Sequence, residues 1–420
     1  MWNALHSTFN TALNHHVDIR VLDKVECKLK TFWNPFSKEE FKCAIDNCNS
    51  SLTSGPDKLS WNHLKTILKQ DECFNNIINI ANTCINLGYW LSHFKKSSTV
   101  VIPKPNKQSY DHPKSFCPIV LLNTLGKLIK KVIEERLQFQ IMANDFIYPC
   151  QLGELKFKST TDVKVALTYI IHSGWVKNLS TSILAFDIAQ FFIFLNHCFF
   201  TCILQKAGID SHIVKFFANY LTDRKKNYVW NNFSSSMFKV NIGVGQGSAL
   251  SPILSALYLS PFIYILENCL KNYNIPVSII LFVDDGLFIS QDKSLISSNS
   301  CLFCSYNIMT KLLDKFDLIV EYLKTEVFHF NRLHSLFALP PLDLSSIKGP
   351  ILVPKNTWKY LGFIFDRKLS FHQHINFYCN RAISTVKCMR ILGNSSHGII
   401  PTQKRLLYRY CILSIALYSF

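Results

Sequence analysis

The sequence predicts an α+β fold in which helices surround a small antiparallel sheet. Two apolar runs, at 279–283 and 287–289, are separated only by an Asp-Asp-Gly step at 284–286, and an Asp-Gly step between such runs is typical of a β-hairpin. Helical spacing of apolar residues occurs elsewhere, behind N-capping residues such as Ser37. With 420 residues and 48% hydrophobic content, the chain can form several packed subdomains.

The same patterns place the other elements in order along the chain. Predicted helices follow Ser37 and cover 61–68, 74–87, 121–139, 192–204, 216–221, 250–270 and 301–316, with a further helix capped by Ser159 or Thr160 and helices again after residue 366. Predicted strands begin at residue 99 and cover 181–186, 228–230, 238–242, 319–322, 327–330 and 358–365, besides the hairpin at 277–290. Lys130 is expected on the polar side of its helix, and Lys225 and Lys226 are expected in a basic turn.

Two long apolar stretches, at 191–204 and 249–266, could suggest membrane spans. The first is interrupted by Asn196 and the second contains prolines and serines, whereas a spanning helix needs about 20 mostly apolar residues. We therefore expect core helices and no membrane association, with a membrane protein as a third hypothesis. The 15 cysteines have no regular spacing and no signal peptide before them, which favours reduced, intracellular thiols.

The charge of the chain indicates a polyanionic partner. Lys and Arg number 45 against 28 Asp and Glu, a formal net charge of +17, which favours nucleic acid, with a membrane surface as the competing partner. The excess is uneven, because Asp366 is the only acid from residue 348 onward while the block 183–290 is nearly neutral. Such a distribution suits a protein that holds a phosphate backbone around a less charged chemical centre.

The aspartates at the ends of apolar runs are candidate metal ligands. Asp284 and Asp285 adjoin an apolar hairpin, where mutual repulsion and lost hydration would favour a bound divalent cation. A solvated turn is the alternative, since Asp and Gly are common turn residues. Asp187 also ends an apolar strand, so neighbouring strands could bring all three carboxylates together, as phosphoryl transfer by two metal ions requires.

A glycine-rich stretch at 243–252 and a basic loop after residue 103 are candidate binding segments. Three alternating glycines let another molecule approach the backbone closely, and the spacing does not match the dinucleotide fingerprint. A tight turn that serves helix packing is the alternative. Lys104 follows a β-branched strand in a proline-rich loop, where it could meet an anion or remain a surface lysine.

Taken together, these motifs resemble the reverse transcriptases of non-LTR (LINE-type) retrotransposons. The resemblance rests on Asp187 with Phe192, the GxxQGSxLSP block at 243–252, the F-x-D-D block at 282–285 and the Y-L-G block at 360–362. It extends from about residue 36 to the end of the chain. It implies a right-hand polymerase with fingers, an antiparallel palm sheet and a truncated thumb.

The resemblance also implies a division of the chain and a role for each matching residue. Residues 1–97 would be a helical lead-in, 98–345 the fingers and palm, and 346–420 the primer-grip hairpin and a partial thumb. The metal-binding residues would be Asp187, Ile188, Asp284 and Asp285, and the catalytic residues would be the three aspartates together with the proton donor Lys324. The nucleotide-binding residues would be Lys104, Lys158, Phe192, Gln246 and Gly247. The segment that holds the primer end, the primer grip, would be Trp358, Lys359, Tyr360, Leu361 and Gly362.

The implied activity is RNA-directed DNA synthesis by an intracellular, nuclear enzyme. Its cofactor would be two Mg²⁺ ions, with Mn²⁺ as an alternative, and its partners an RNA template, a DNA primer and deoxynucleoside triphosphates. The rival hypothesis is a decayed fragment of such an element that only binds nucleic acid. The chain departs from the family pattern at Cys117 and Lys158, where the family usually carries Arg, and at Lys58. It also departs at Ile193 and Phe194, directly after Phe192, which resembles the aromatic residue that excludes a ribose 2′-hydroxyl in this family.

Overall fold

The computed structural model of the chain describes residues 17–26, 28, 30–49, 53–105, 109–153, 155–189, 191–230, 233–245, 247–332, 339–347, 349–392 and 398–418. Its helices are α1 Lys38–Asp46, α2 Trp61–Ile67, α3 Asp71–Leu87, α4 Thr124–Ala143, α5 Thr160–Val176, α6 Phe191–Phe194, α7 His197–Lys206, α8 Ser211–Leu221, α9 Leu250–Asn272, α10 Leu295–Lys315, α11 His372–Met389, α12 Pro401–Leu407 and α13 Ser414–Ala416. Its strands are β1 Lys96–Pro103, β2 Phe116–Leu122, β3 Ser180–Asp187, β4 Arg224–Trp230, β5 Phe233–Ser234, β6 Phe238–Val240, β7 Val277–Phe282, β8 Asp285–Asp292, β9 Glu326–Phe330, β10 Leu342–Asp343, β11 Ile351–Leu352, β12 Thr357–Tyr360 and β13 Phe363–Asp366. The predicted mixture of helices and antiparallel sheet is confirmed.

A four-stranded antiparallel sheet lies at the centre of the fold, and we call it the acidic sheet. Its order is β7-β8-β3-β9, and β7 and β8 form the predicted hairpin. Side chains alternate between its faces. Leu184 and Phe288 pack in the core that contains α9 and α10, whereas Ile183 and Leu287 pack against α5 and the β12-β13 hairpin. Because both faces are covered, the strands are apolar along most of their length.

A second sheet, which we call the basic sheet, has the order β2-β1-β4-β5, with β6 also paired to β4. β1 runs antiparallel to β2 and parallel to β4. The predicted basic turn is wrong, because Lys225 and Lys226 lie in β4 and pair with both β1 and β6. Strand pairing on both sides has overridden the low strand propensity of lysine.

The helix α9 is long and apolar enough to cross a membrane by length and composition, and 72% of its most apolar window is buried inside the fold. It packs in the core beside the acidic sheet through residues such as Leu254 and Phe262. Pro261 lies within it. The stretch at 249–266 is therefore a core helix in this fold, as the sequence predicted.

The predicted boundaries fail at three places. Leu121 and Leu122 belong to β2 instead of a helix, because they pair with Ser98 and Ser97 of β1. The predicted helix 192–204 is broken between α6 and α7, where the side chain of Asn196 accepts the Phe199 N–H at 3.0 Å and caps α7. Each break follows from a competing hydrogen bond.

The third failure is the strand predicted at 319–322. Val320 forms a single antiparallel bridge with Ile188, and the chain then enters a 3₁₀ turn at Tyr322–Lys324. The Glu321 N–H donates to the Asp187 carbonyl at 2.8 Å. This short bridge extends the end of β3 and brings Lys324 towards Asp187.

Candidate active site

Strand alternation places Asp187 and Asp285 on one face of the acidic sheet. Ala185 and Leu287 both face α5 and the β12-β13 hairpin. Because side chains two residues apart in a strand point to the same face, Asp187 and Asp285 lie on this face as well. The register of β3 and β8 pairs Asp187 directly with Asp285. The two strand ends are therefore brought together, as the sequence predicted.

Asp284 lies in the turn between β7 and β8. The Ile188 N–H donates to the Asp284 carbonyl at 3.1 Å, which ties this turn to the end of β3. The left-handed backbone of the turn falls on Val283, with φ of 62°, and not on Gly286 as its Asp-Gly sequence suggested. Gly286 is instead required inside β8, because a Cβ there would lie 2.2 Å from the Phe186 ring.

The three carboxylates lie in an electrostatically strained cluster. Burial raises the pKa of Asp187, which is 6% exposed, against the opposing effect of its ion pair with Lys324. Burial, and then the charges of Asp284 and Asp187, raise the pKa of Asp285 to about 7. Partial burial would lower the pKa of Lys324, but its bond to Asp187 raises it above the ordinary value.

The donor chemistry of this cluster suits a hard divalent cation. Carboxylate and carbonyl oxygens are the ligands that Mg²⁺ prefers, and a bound cation would oppose both the burial and the carboxylate repulsion that hold the pKa of Asp285 near 7. Among the described side chains, no three His, Cys, Asp or Glu residues are arranged closely enough to hold a metal ion as they stand. The cation that contacts Asp187 in this arrangement is the Lys324 ammonium.

The glycine-rich segment folds back onto the short helix α6. The Gly243 and Val244 N–H groups donate to the carbonyls of Leu195 and Phe192 at 2.9 and 2.7 Å. Gly243 has φ of 68°, and a Cβ there would lie 2.4 Å from the Ile193 carbonyl oxygen. The alternating glycines therefore serve close packing onto α6, which also fixes the position of Phe192.

Phe192 and Gly247 line one cleft of about 550 Å³ with Lys127 and Lys131 of α4. Gly247 has φ of 107°, and a Cβ there would lie 3.0 Å from the Val120 carbonyl oxygen in β2. The cleft thus combines an aromatic side chain, accessible backbone and lysines, a set that can receive a phosphorylated ligand. Gln246, also predicted to bind nucleotide, lies outside the described residues.

The other predicted nucleotide-binding residues lie on separate elements. Lys104 follows the end of β1 and is exposed, and its N–H donates to the Ser115 carbonyl at 2.9 Å. Lys158 is exposed and precedes Ser159, the N-cap of α5. Neither is among the described residues that line the cleft of Phe192. Cys117 lies in β2 opposite Ile102 and is partly exposed.

The predicted primer-grip segment divides into buried and accessible parts. Trp358 is 3% exposed and stacks on Tyr360 at 4.9 Å between ring centroids, with both rings packed on the acidic sheet. Burial and the charges of Asp285 and Asp284 raise the pKa of Tyr360, which indicates that its ring lies near the acidic cluster. Lys359 points the other way and is exposed, with its Nζ 5.4 Å from the Phe377 ring.

Two tyrosines that the sequence analysis missed hold the turn of this hairpin. Leu361 and Gly362 have φ of 45° and 80°. Their carbonyls accept hydrogen bonds from the hydroxyls of Tyr418 at 3.1 Å and Tyr378 at 2.5 Å. No local pattern reveals such contacts, because the donors come from the C-terminal helical region.

Arg224 is a further residue that the sequence analysis missed. Its guanidinium donates to the Ile242 carbonyl at 2.9 Å, to the Gly243 carbonyl and to the Leu221 carbonyl at 3.0 Å. The His197 Nε2 also contacts the Gly243 carbonyl at 2.7 Å. These contacts hold the start of the glycine-rich segment against α7 and β4.

Comparison with known proteins adds a family to this geometry. A family model described as reverse transcriptase (RNA-dependent DNA polymerase) matches residues 102–365. The chain is 26% identical to a probable RNA-directed DNA polymerase from transposon BS of Drosophila melanogaster, covering 95% of this chain and 43% of that protein. It is 22% identical to the RNA-directed DNA polymerase from mobile element jockey of Drosophila funebris, covering 92% of this chain and 41% of that protein.

The chain therefore spans less than half the length of these curated relatives. A solved structure of apo telomerase from Candida tropicalis, truncated from its C-terminal domain, aligns with a TM-score of 0.45 and 13% identity, covering 65% of this chain and 53% of that one. The match over residues 102–365, with relatives from mobile elements, confirms the family resemblance. The chain belongs to the reverse transcriptase (RNA-dependent DNA polymerase) family, and the curated relatives to which it is similar are RNA-directed DNA polymerases of mobile elements.

Proposed function

We propose that this chain is an RNA-directed DNA polymerase that adds deoxynucleotides to the 3′-end of a DNA primer on an RNA template. The observation that carries the proposal is the pairing of Asp187 with Asp285 across β3 and β8, with Asp284 in the adjoining turn. Three carboxylates at one edge of a sheet fit nucleotidyl transfer, which needs charge stabilisation and positioning more than side-chain acid-base chemistry.

Asp187, Asp284, Asp285 and the Ile188 carbonyl would hold two Mg²⁺ ions, with Mn²⁺ as an alternative. Bound there, the ions would make the primer 3′-hydroxyl a stronger nucleophile and neutralise the triphosphate. Lys324 retains its proton, because its bond to Asp187 raises its pKa. It is therefore available to protonate the departing pyrophosphate once its contact with Asp187 is released.

The cleft lined by Phe192 and Gly247 would receive the incoming nucleotide. The Phe192 ring would exclude a ribose 2′-hydroxyl by contact, which selects deoxynucleotides. Its backbone is fixed by the Val244 N–H, so the ring is presented from a defined position. Lys104, Lys158 and Gln246 complete the proposed nucleotide contacts, and the turn of Leu361 and Gly362 with Lys359 forms the proposed primer grip.

The subdivision that accompanies this function follows the two sheets. The basic sheet would form the fingers and the acidic sheet the palm within residues 98–345, after a helical lead-in at 1–97. The β12-β13 hairpin and the helices from α11 onward would form the primer grip and a short thumb within 346–420. Intracellular, nuclear action on RNA and DNA is part of the same proposal.

A second candidate function is nucleic-acid binding without catalysis. Cys117 favours it, because the family pattern that this sequence resembles implies at this position an Arg that contacts the triphosphate, and the partly exposed thiol in β2 cannot replace the paired donors of an Arg. The net charge of +17 would serve binding in either case.

The decisive experiment is extension of a DNA primer annealed to an RNA template, with Mg²⁺ and deoxynucleotides, by the purified chain and by Asp284→Asn. Extension by the wild type that the substitution abolishes is the expected result. If neither protein extends the primer while both bind the hybrid, with affinity falling as salt rises, the binding function replaces the polymerase.

A further inference from the structure

The side chain of Gln151 is buried beside the acidic turn and binds the residue that precedes Asp284. Gln151 is 1% exposed. Its Oε1 accepts the Val283 N–H at 3.0 Å, and its Nε2 donates to the Val283 carbonyl at 3.2 Å. Oε1 also accepts the Gly153 N–H at 3.0 Å. One amide therefore satisfies both backbone groups of Val283.

Val283 adopts a backbone conformation that a β-branched residue rarely occupies. Its φ is 62°, in the left-handed region where the Cβ of a β-branched residue contacts the backbone unfavourably. Such a conformation persists only when the surroundings hold it. Since Val283 comes directly before Asp284, its conformation sets the direction in which both acidic residues leave β7.

The chain around Gln151 packs along the open edge of β7. The Leu281 N–H donates to the Cys150 carbonyl at 2.9 Å, and the Leu152 N–H donates to the Leu281 carbonyl at 2.8 Å. A Cβ at Gly153 would lie 2.3 Å from the Val283 nitrogen, so only glycine permits this approach. Backbone hydrogen bonds of Cys150 and Leu152 with Leu281 therefore fix the chain on both sides of Gln151, and with it the position of the side-chain amide.

We propose that Gln151 is a positioning residue that fixes the acidic turn and thereby sets Asp284 and Asp285 against Asp187. The turn is held at two points, at Val283 by the Gln151 amide and at Asp284 by the Ile188 N–H at 3.1 Å. The proposal rests on the proposed function for its consequence, which is that Asp284 and Asp285 stay beside Asp187, where divalent cations would bind. Gln151 would act through the backbone of Val283, with which its side-chain amide forms two hydrogen bonds.

The test compares Gln151→Met with Asn82→Leu in the full chain. Both substitutions replace an amide by an apolar side chain of similar length. Asn82 is a matched control, because its Oδ1 accepts the Phe36 N–H at 2.7 Å and its Nδ2 donates to the Phe36 carbonyl at 3.4 Å, far from the acidic turn in sequence and in fold. The measurements are thermal stability, amide hydrogen exchange of the 281–286 segment, Mn²⁺ binding by electron paramagnetic resonance, and primer extension.

Gln151→Met is expected to speed exchange of the Val283 amide and to weaken Mn²⁺ binding about 10- to 100-fold, the range for partners that orient metal ligands. The turnover number for primer extension should fall by a similar factor with little change in the Michaelis constant of the nucleotide. Asn82→Leu should leave Mn²⁺ affinity, exchange at 281–286 and turnover unchanged at a comparable loss of thermal stability. Equal behaviour of the two variants in these three measurements would overturn the proposal.

Two outcomes separate this inference from the function on which it rests. If the wild-type chain does not extend primers, the proposed polymerase function is contradicted. Mn²⁺ affinity and amide exchange then still test whether Gln151 positions the acidic turn. If Gln151→Met does not fold, exchange in the wild type decides instead. The Val283 amide, although in a hairpin turn, is then expected to be as protected as the strand amides of β8, and exchange at the rate of an open turn would refute the role of Gln151.

Discussion

Asp285 of the acidic sheet and Lys130 of α4, which lines a cavity with residues of the basic sheet, each have a pKa that burial shifts to about 7, from opposite directions. In the acidic sheet, burial and the charges of Asp284 and Asp187 raise the pKa of Asp285 to about 7. Under the basic sheet, Lys130 is 1% exposed, and burial, followed by the charges of Lys127 and Arg224, lowers its pKa to about 7.

The surroundings of these two groups differ in what could relieve them. Asp285 lies in a cluster whose oxygens suit a divalent cation, and Lys324 already contacts its neighbour Asp187. Lys130 lines a cavity of about 90 Å³ with Arg224 and Lys226, and no acid is among the described residues around it. The Lys130 Nζ lies 5.9 Å from the centroid of the Tyr220 ring, which is a weaker partner for a buried ammonium than a carboxylate. A buried charge is therefore useful where a ligand can compensate it, and it costs stability where the described surroundings contain no opposite charge.

The largest effect is expected from a substitution that removes a carboxylate from the acidic cluster. Asp187→Asn should reduce primer extension by about a thousandfold or more, because several kcal/mol of transition-state stabilisation would be lost. Fold stability should change little, since Lys324 is largely exposed and can be solvated when its partner is neutral. Single-turnover extension and thermal melting measure the two quantities.

Asp292→Asn is the control for that substitution. Asp292 ends the same strand as Asp285 at its opposite end and lies away from the cluster. It should retain wild-type extension. A comparable loss in both variants would mean that the sheet, and not the cluster, had been damaged.

Lys130→Met removes the buried ammonium from the cavity beside the basic sheet. It should stabilise the chain on the order of 3 kcal/mol at pH 7. The pKa of Lys130 is about 7 in the folded chain, against an ordinary value of 10.5. The folded state therefore binds fewer protons than the unfolded state between pH 7 and about 10.5, and wild-type stability rises across that window. The advantage of Met should shrink as the pH approaches 10, which denaturant unfolding at several pH values measures.

Lys225→Met, at an exposed position in β4, is the matched control and should change stability by less than about 0.5 kcal/mol at any pH. A Lys130→Met variant that is less stable than the wild type at pH 7 would indicate that a bound anion or another compensating group holds Lys130 in its cavity.

The acidic hairpin could be predicted from the sequence, whereas the burial of Lys130 could not. The hairpin and the strand that ends at Asp187 follow from local patterns, since apolar alternation and an Asp-Gly step depend on neighbours in sequence. Lys130 was expected on the polar side of its helix, yet it is 1% exposed. Its burial depends on how α4 packs against the basic sheet, and the spacing of apolar residues along a helix does not indicate such tertiary packing.

The contacts that hold the site were also beyond local prediction. Arg224 donates to the Gly243 carbonyl and Tyr378 to the Gly362 carbonyl, 19 and 16 residues away and beyond the reach of a helical or strand period. Val283, and not Gly286, carries the left-handed backbone of the acidic turn. Composition reveals which residues can form such bonds, whereas only the packed fold decides which of them do.

A smaller effect concerns divalent cations and the acidic sheet alone. MgCl₂ should stabilise the wild type at pH 7.5 by about 2.7 kcal/mol at a hundred times its dissociation constant, because it binds the folded cluster and not the unfolded chain. Asp285→Asn should lose most of this gain, whereas Lys130→Met should keep it. Thermal melting with NaCl of equal ionic strength is the reference, and an equal gain in all three proteins would place the ion elsewhere.

The smallest expected effect comes from adding a positive charge to the basic sheet at position 117, where the family pattern that the sequence resembles implies Arg. Cys117→Arg should lower the Michaelis constant for deoxynucleotides about tenfold, since a paired donor to phosphate contributes about 1.5 kcal/mol or more. Ile119→Arg is the control, because Ile119 lies two residues further along β2 on the same face and is 39% exposed. An equal gain from both variants would reflect general attraction of a polyanion, whereas a gain from Cys117→Arg alone would mark the position that contacts the triphosphate.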